Sequence, residues 1–161
     1  MSTESNSKLQ VGDKAPDFTL PTQKTGEAFH LHDMLGKSSI VVYFYPKDDT
    51  PGCTAEACSF RDSYEVFKEA GAEVIGISTD TAQSHQQFAS KYSLPFILLS
   101  DEGGTVQNLY SVPAITHQGM TFASRVTYVI DKQGVVKNIF ADLPSATQHV
   151  SDALKTIQAL G

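Results

Sequence analysis

Cysteine is scarce in this chain, with two in 161 residues, Cys53 and Cys58. Two thiols cannot build a disulfide scaffold, and a chain of this length buries a core without such staples, so both are spare for chemistry. Basic residues are scarce as well: 12 Lys and Arg against 18 Asp and Glu, for a formal net charge of −6. The lysines are scattered and form no patch. That argues against nucleic acid as a partner, because a phosphate backbone is held by clustered Lys and Arg. Long apolar runs are missing. The longest, Ile40 to Tyr45, is far too short to span a bilayer. The polar start "MSTESNSKLQ" lacks the apolar stretch of a secretory signal and is too short and arginine-poor for a complete organelle transit peptide. It reads as a disordered lead over residues 1–10, ahead of a single domain over residues 11–161. The expected location is the cytoplasm, or an organelle stroma if the chain is a processed mature form with a new Met1. No internal repeat or low-complexity block interrupts it.

What remains is a regular alternation. "FTLPTQKTGEAFHL" predicts a hairpin turning at Gly26, and "HDMLGK" a single helical turn closed by Gly36. "SIVVYFY", "AEVIGIS" and "FILLS" are continuous apolar runs of the kind buried on both faces of a sheet. Between them, helical spacing appears from about Cys53 to Ala70 (Phe60, Tyr64 and Phe67), ending at Gly71. It appears again in "TAQSHQQFASKYSL", with Phe88 and Tyr92 four apart. "GGTVQNLYSV" predicts a short helix and "RVTYVIDKQGVVKNIFA" two strands about Gln133–Gly134. "SATQHVSDALKTIQAL" predicts a terminal helix capped by Ser145. Strand, helix, strand, helix, strand, hairpin and helix describe a three-layer α/β domain, with sites gathered at the C-terminal ends of its strands.

Such a strand end leads into "YPKDDTPGCTAEAC" (45–58), which holds both cysteines. A cysteine reacts as its thiolate, and a helix N-terminus favours negative charge. Strand, proline-rich turn, Cys and helix therefore place Cys53 where charge on sulfur is favoured. Pro46 and Pro51 stiffen the turn, and Gly52 lets a group approach the sulfur closely. Thr50, three residues ahead of Cys53, can turn its hydroxyl towards the thiolate or an oxygen bound beside it. Against this stands the ordinary role of free cysteine as a small core residue, which Cys58 alone would fit. A metal site is the other alternative. C-x4-C opens an iron–sulfur signature that needs two further cysteines, and zinc needs two further ligands. His30 and His32 share one strand face, while His85, His117 and His149 are far apart in sequence.

Pro46, Thr50 and Cys53 spell P-x-x-x-T-x-x-C, and the longer "YPKDDTPGCTAEACSFRD" resembles the Q-type, or bacterioferritin-comigratory, subgroup of the peroxiredoxins. The resemblance continues through "AGAEVIGIS", "FASKYSLPF", "LLSDEG" and "TYVIDKQGVV", nearly the whole chain after residue 10. It implies a thioredoxin-like fold and peroxidase activity without a cofactor. Cys53 matches the peroxidatic cysteine, which becomes a sulfenic acid. Thr50 matches the residue holding the peroxide oxygens, and Pro46 the one shielding the pocket. Arg125 matches the arginine that stabilises the thiolate, and Cys58 the resolving cysteine of the intramolecular two-cysteine subtype. Thioredoxin or a relative is the implied reductant. With both thiols on one chain, a monomer is expected. "VPAITHQGMTFASR", ahead of Arg125, departs from the commoner Gly- and Pro-rich version, so the loop by the site is expected to alter peroxide preference. Two other functions compete. One is a thiol–disulfide oxidoreductase, a class that usually carries C-x-x-C. The other is a binding protein switched by its disulfide.

Overall fold

The computed structural model describes residues 8–160. Its centre is β3 (Ser39–Phe44), buried along its whole length. β4 (Ala72–Ser78) lies parallel beside it, with β5 (Ile97–Ser100) parallel beyond. On the other side β8 (Val126–Ile130) runs antiparallel to β3, and β9 (Val136–Phe140) antiparallel to β8. The order is β5-β4-β3-β8-β9, a mixed sheet. The two-residue period of β3 divides the core. Val41, Tyr43 and Tyr45 face α1 (Pro51–Glu69), α2 (Ala82–Tyr92) and α4 (Ala146–Leu160) through Phe60, Phe67, Phe88, Val150 and Ile157. Ile40, Val42 and Phe44 face the opposite layer, where Phe29 and Leu31 meet Val106 and Tyr110 from α3 (Thr105–Leu109) and its end. Burial on both faces is why these strands read as unbroken apolar runs. The fold is the thioredoxin-like three-layer α/β arrangement that the sequence implies.

At the N-terminal side, β1 (Thr19–Pro21) and β2 (Ala28–His30) form the expected hairpin, followed by a 3-10 turn over Leu31–Met34. The first seven residues of the expected lead lie outside the described residues. Leu9 packs against the core, and its amide donates to Ser111 Oγ. Ser145 Oγ accepts from the amide of Gln148, as its capping position predicts.

Two differences bear on the site. Helix α1 starts at Pro51, two residues before the start read from the apolar spacing, because proline suits a first helical position. The segment ahead of Arg125 forms a hairpin of its own, β6 (Ala114–His117) with β7 (Met120–Ala123). It turns on Gln118 and Gly119, both with positive φ.

Candidate active site

Strand β3 delivers the chain to the site. Tyr45 still bonds to β4, its amide donating to Ile77 O, and Pro46 then ends the pairing. Thr50 is extended and its side chain does not cap α1. Pro51 has no N–H to offer, so Gly52 and Cys53 bring the first amides of the helix end. Cys53, Glu56, Ala57, Phe60 and Phe67 form the buried stripe of α1, at spacings of three, one, three and seven. Cys58 lies off that stripe and is half-buried, and both thiols are free.

The 6–7 hairpin returns the chain to Arg125, just before β8. Antiparallel pairing sets Phe44, the last residue of β3, opposite Val126. Arg125 is thereby brought beside the start of α1. Its Nη2 lies 3.6 Å from Cys53 Sγ, and its Nη1 donates to Glu56 Oε1 at 2.6 Å. A Cβ on Gly52 would stand 2.9 Å from Nη2, so the group that this glycine admits is the guanidinium. Glu56 has no exposure at all, and its second oxygen, Oε2, has no hydrogen-bond partner. Burial pushes its carboxyl up from 4.5 to about 8, against the pull of Arg125. Arg125 is held above its ordinary range: burial opposes the shift, but the facing Glu56 and Cys53 outweigh it.

The other residues singled out from the sequence fall around this pair. Thr50 Oγ1 donates to Lys47 O at 2.9 Å, so its proton lies on the loop rather than on sulfur, and its lone pairs are left to accept. Pro46 is half-buried at the start of the loop. Asp48 and Asp49 clamp that loop to α2. Asp48, buried, accepts from Tyr45 OH at 2.6 Å and Ser84 Oγ at 2.8 Å, and lies 2.7 Å from His85 Nδ1. Asp49, with φ of +58°, accepts from Lys91 Nζ at 2.8 Å and Tyr92 OH at 2.9 Å. These contacts hold an unfavourable backbone conformation next to the start of α1.

The histidines do not converge. His30 and His32 flank Asp17, with His30 ending β2 and His32 in the 3-10 turn rather than both on one strand. His85 and His149 are buried and bonded, His85 to Asp48 and Leu99 O, His149 to Thr127 Oγ1. Among the described residues, Asp48, Asp80 and His85 come within 4.8 Å of one another. Their polar atoms are already engaged with one another and with Tyr45, Ser78, Ser84 and Leu99 O.

Glu56 was not singled out by the sequence reading. Its signal is an acidic residue three places after Cys53, on the face that Phe60 and Phe67 mark as buried.

A free thiol at the start of a helix, on a thioredoxin-like sheet and against a half-buried arginine, fits a thiol-dependent oxidoreductase. The chain belongs to the AhpC/TSA family, whose model matches residues 11–139, and it is a thiol peroxidase of the peroxiredoxin Q kind. It is 52% identical over 153 residues to the chloroplastic peroxiredoxin Q of Oryza sativa subsp. japonica, covering 95% of this chain and 69% of that one. To the chloroplastic peroxiredoxin Q of Arabidopsis thaliana it is 50% identical over 152 residues, covering 94% and 68%. Among solved structures, the peroxidoxin BcpB of Mycobacterium tuberculosis superposes with a TM-score of 0.87 at 37% identity, covering 95% of this chain and 99% of that chain. The bacterioferritin comigratory protein of Xanthomonas campestris, described for its alkyl peroxide reduction activity, gives 0.83 at 26%, covering 96% and 98%.

Proposed function

We propose that the chain reduces hydrogen peroxide and organic hydroperoxides at Cys53, with Cys58 resolving the product. The observation that carries this reading is Arg125 Nη2, 3.6 Å from Cys53 Sγ at the head of α1. A fixed guanidinium there stabilises both the thiolate and the charge that develops as the O–O bond breaks. Thr50, its proton committed to Lys47 O, offers lone pairs to the hydrogen of a hydroperoxide. Pro46 shields the pocket. Attack leaves Cys53 as a sulfenic acid. Condensation with the Cys58 thiol then releases water and forms an intramolecular disulfide, which a dithiol protein of the thioredoxin kind reduces. The alkyl peroxide reduction described for the Xanthomonas protein supports organic hydroperoxides as substrates. A monomer completes this cycle, since both thiols share one chain. The compartment is one with a thiol reductant, cytoplasm or organelle stroma. The rice and Arabidopsis relatives are named chloroplastic. No helix among the described residues is long and apolar enough to cross a membrane.

Peroxide consumption with and without a thioredoxin system tests the assignment. Cys53→Ser is expected to abolish it. Cys58→Ser is expected to consume about one equivalent per chain and stall as the sulfenic acid. Full thioredoxin-dependent turnover by Cys58→Ser would remove Cys58 from the resolving role.

A further inference from the structure

Glu56 is buried more deeply than the reaction above requires. One of its oxygens is 2.6 Å from Arg125 Nη1, the other has no partner, and the same guanidinium reaches Cys53 Sγ through Nη2. Arg125 at the head of β8 bonds this carboxyl and, through its other nitrogen, Cys53 three residues earlier on the same helix, and Tyr43 from β3 faces it. The Tyr43 hydroxyl is also buried and unpartnered. Burial, then the charges of Glu56 and Cys53, raises its pKa well above the usual value, so it stays a phenol. From α4, His149 is pushed down to about 4 by burial and then by the Arg125 charge, so it is neutral. Arg125 is therefore one cation facing two groups able to be anions. Two buried anions on one cation leave an uncompensated charge, which is costly, so the thiol and the carboxyl share one proton between them.

We propose that Glu56 holds the proton that Cys53 gives up and returns it to the oxygen that leaves the peroxide. This rests on Cys53 being the attacking thiol. The thiol proton passes to the carboxylate, and the thiolate takes Arg125. The sulfur pair attacks the terminal oxygen of ROOH, an S–O bond forms and the O–O bond breaks. The terminal oxygen keeps its hydrogen and becomes the sulfenic acid. The O–O electron pair leaves on RO⁻, which the Glu56 proton converts to ROH. Sulfur loses two electrons and the peroxide gains them. With sulfur now neutral, the carboxylate recovers Arg125. The upward push on the Glu56 carboxyl agrees with a group that carries a proton at neutral pH.

The test is the dependence on the leaving group. Because the chain has no tryptophan, oxidation of Cys53 is followed by competition with a haem peroxidase. Glu56→Gln keeps an oxygen for Arg125 but cannot give up a proton. With tert-butyl hydroperoxide, which expels a strongly basic alkoxide, it is expected to react about 100-fold more slowly. With peracetic acid, which expels acetate, the loss is expected to stay below about threefold. Equal slowing with both oxidants, or slowing with neither, overturns the proposal. If Glu56→Gln does not fold, the wild type decides. A solvent deuterium isotope effect is expected with tert-butyl hydroperoxide and not with peracetic acid, and equal effects overturn the proposal. Failure of the underlying reading looks different, as peroxide reduction that survives Cys53→Ser.

Discussion

Cys53 and Cys58 both lie within the continuous helix α1, and there they cannot bond. Residues five apart on a helix differ by about 140° around the axis and about 7.5 Å along it, which puts their Cα atoms about 9 Å apart. A disulfide spans no more than about 7 Å between Cα atoms. A 53–58 disulfide therefore requires the start of α1 to unwind, and the burial pattern says how far. Up to residue 59, the side chains that leave the core are Cys53, Glu56 and Ala57. Ala57 has little apolar surface to lose. Glu56 regains hydration as it parts from Arg125, which offsets much of the lost attraction. Phe60 and Phe67 are fully buried, and exposing each would cost about 1.5–3 kcal/mol. Unwinding is cheap before Phe60 and expensive after it. Upstream, Asp48 and Asp49 fix the loop to α2, so the motion is confined to about residues 50–59. Hydrogen exchange on the reduced and oxidised forms tests this. Amides 54–59 are expected to lose protection by at least about tenfold, an opening easier by about 1.4 kcal/mol, with little change beyond Phe67. Equal protection in both forms, with the 53–58 disulfide confirmed by mass spectrometry, would refute the reasoning.

Two further outcomes follow from the buried charges. Asp48→Ala would leave Tyr45 OH, Ser84 Oγ and the fully buried His85 Nδ1 without their shared acceptor, at a cost of about 3–5 kcal/mol. Urea unfolding should show a lower midpoint at unchanged slope, and a loss under about 1 kcal/mol would mean that the clamp is dispensable. In a Cys53→Ser background no thiol shares the proton, and the Glu56 carboxyl, raised from 4.5 to about 8 by burial, binds a proton in the folded chain that the unfolded chain releases. Its contribution is thus fully present below about pH 4.5 and is lost as pH rises towards about 8, by up to about 1.4 kcal/mol per pH unit. Adding Glu56→Gln removes that titration, so the stability of Cys53→Ser minus that of the double variant should fall across this window. A flat difference would show the folded carboxyl ionised throughout.

How much of this was legible depends on how local each feature is. β3, β4 and β5 could be read because strands buried on both faces must be apolar without interruption. The 6–7 hairpin could not: four-residue strands such as "AITH" alternate too briefly to stand out, and Gln118–Gly119 is a weaker turn signal than Asn–Gly. Pro46, Thr50 and Cys53 lie within eight residues, so their arrangement follows from one turn and one helix start. Arg125 stood out only through a resemblance, because it meets Cys53 72 residues away, through the pairing of β3 with β8. Glu56 and Asp48 are hardest, since composition treats a carboxylate as a surface group. For Glu56 the local pattern already contradicts that. Counting back along α1 from Phe67 and Phe60, the same face reaches Ala57, Glu56 and then Cys53. An acid on that line must be buried, and a buried acid needs a cation. The cation is the one that Cys53 also uses, so a charge out of place on a helix face points to the proton that the thiol has to lose.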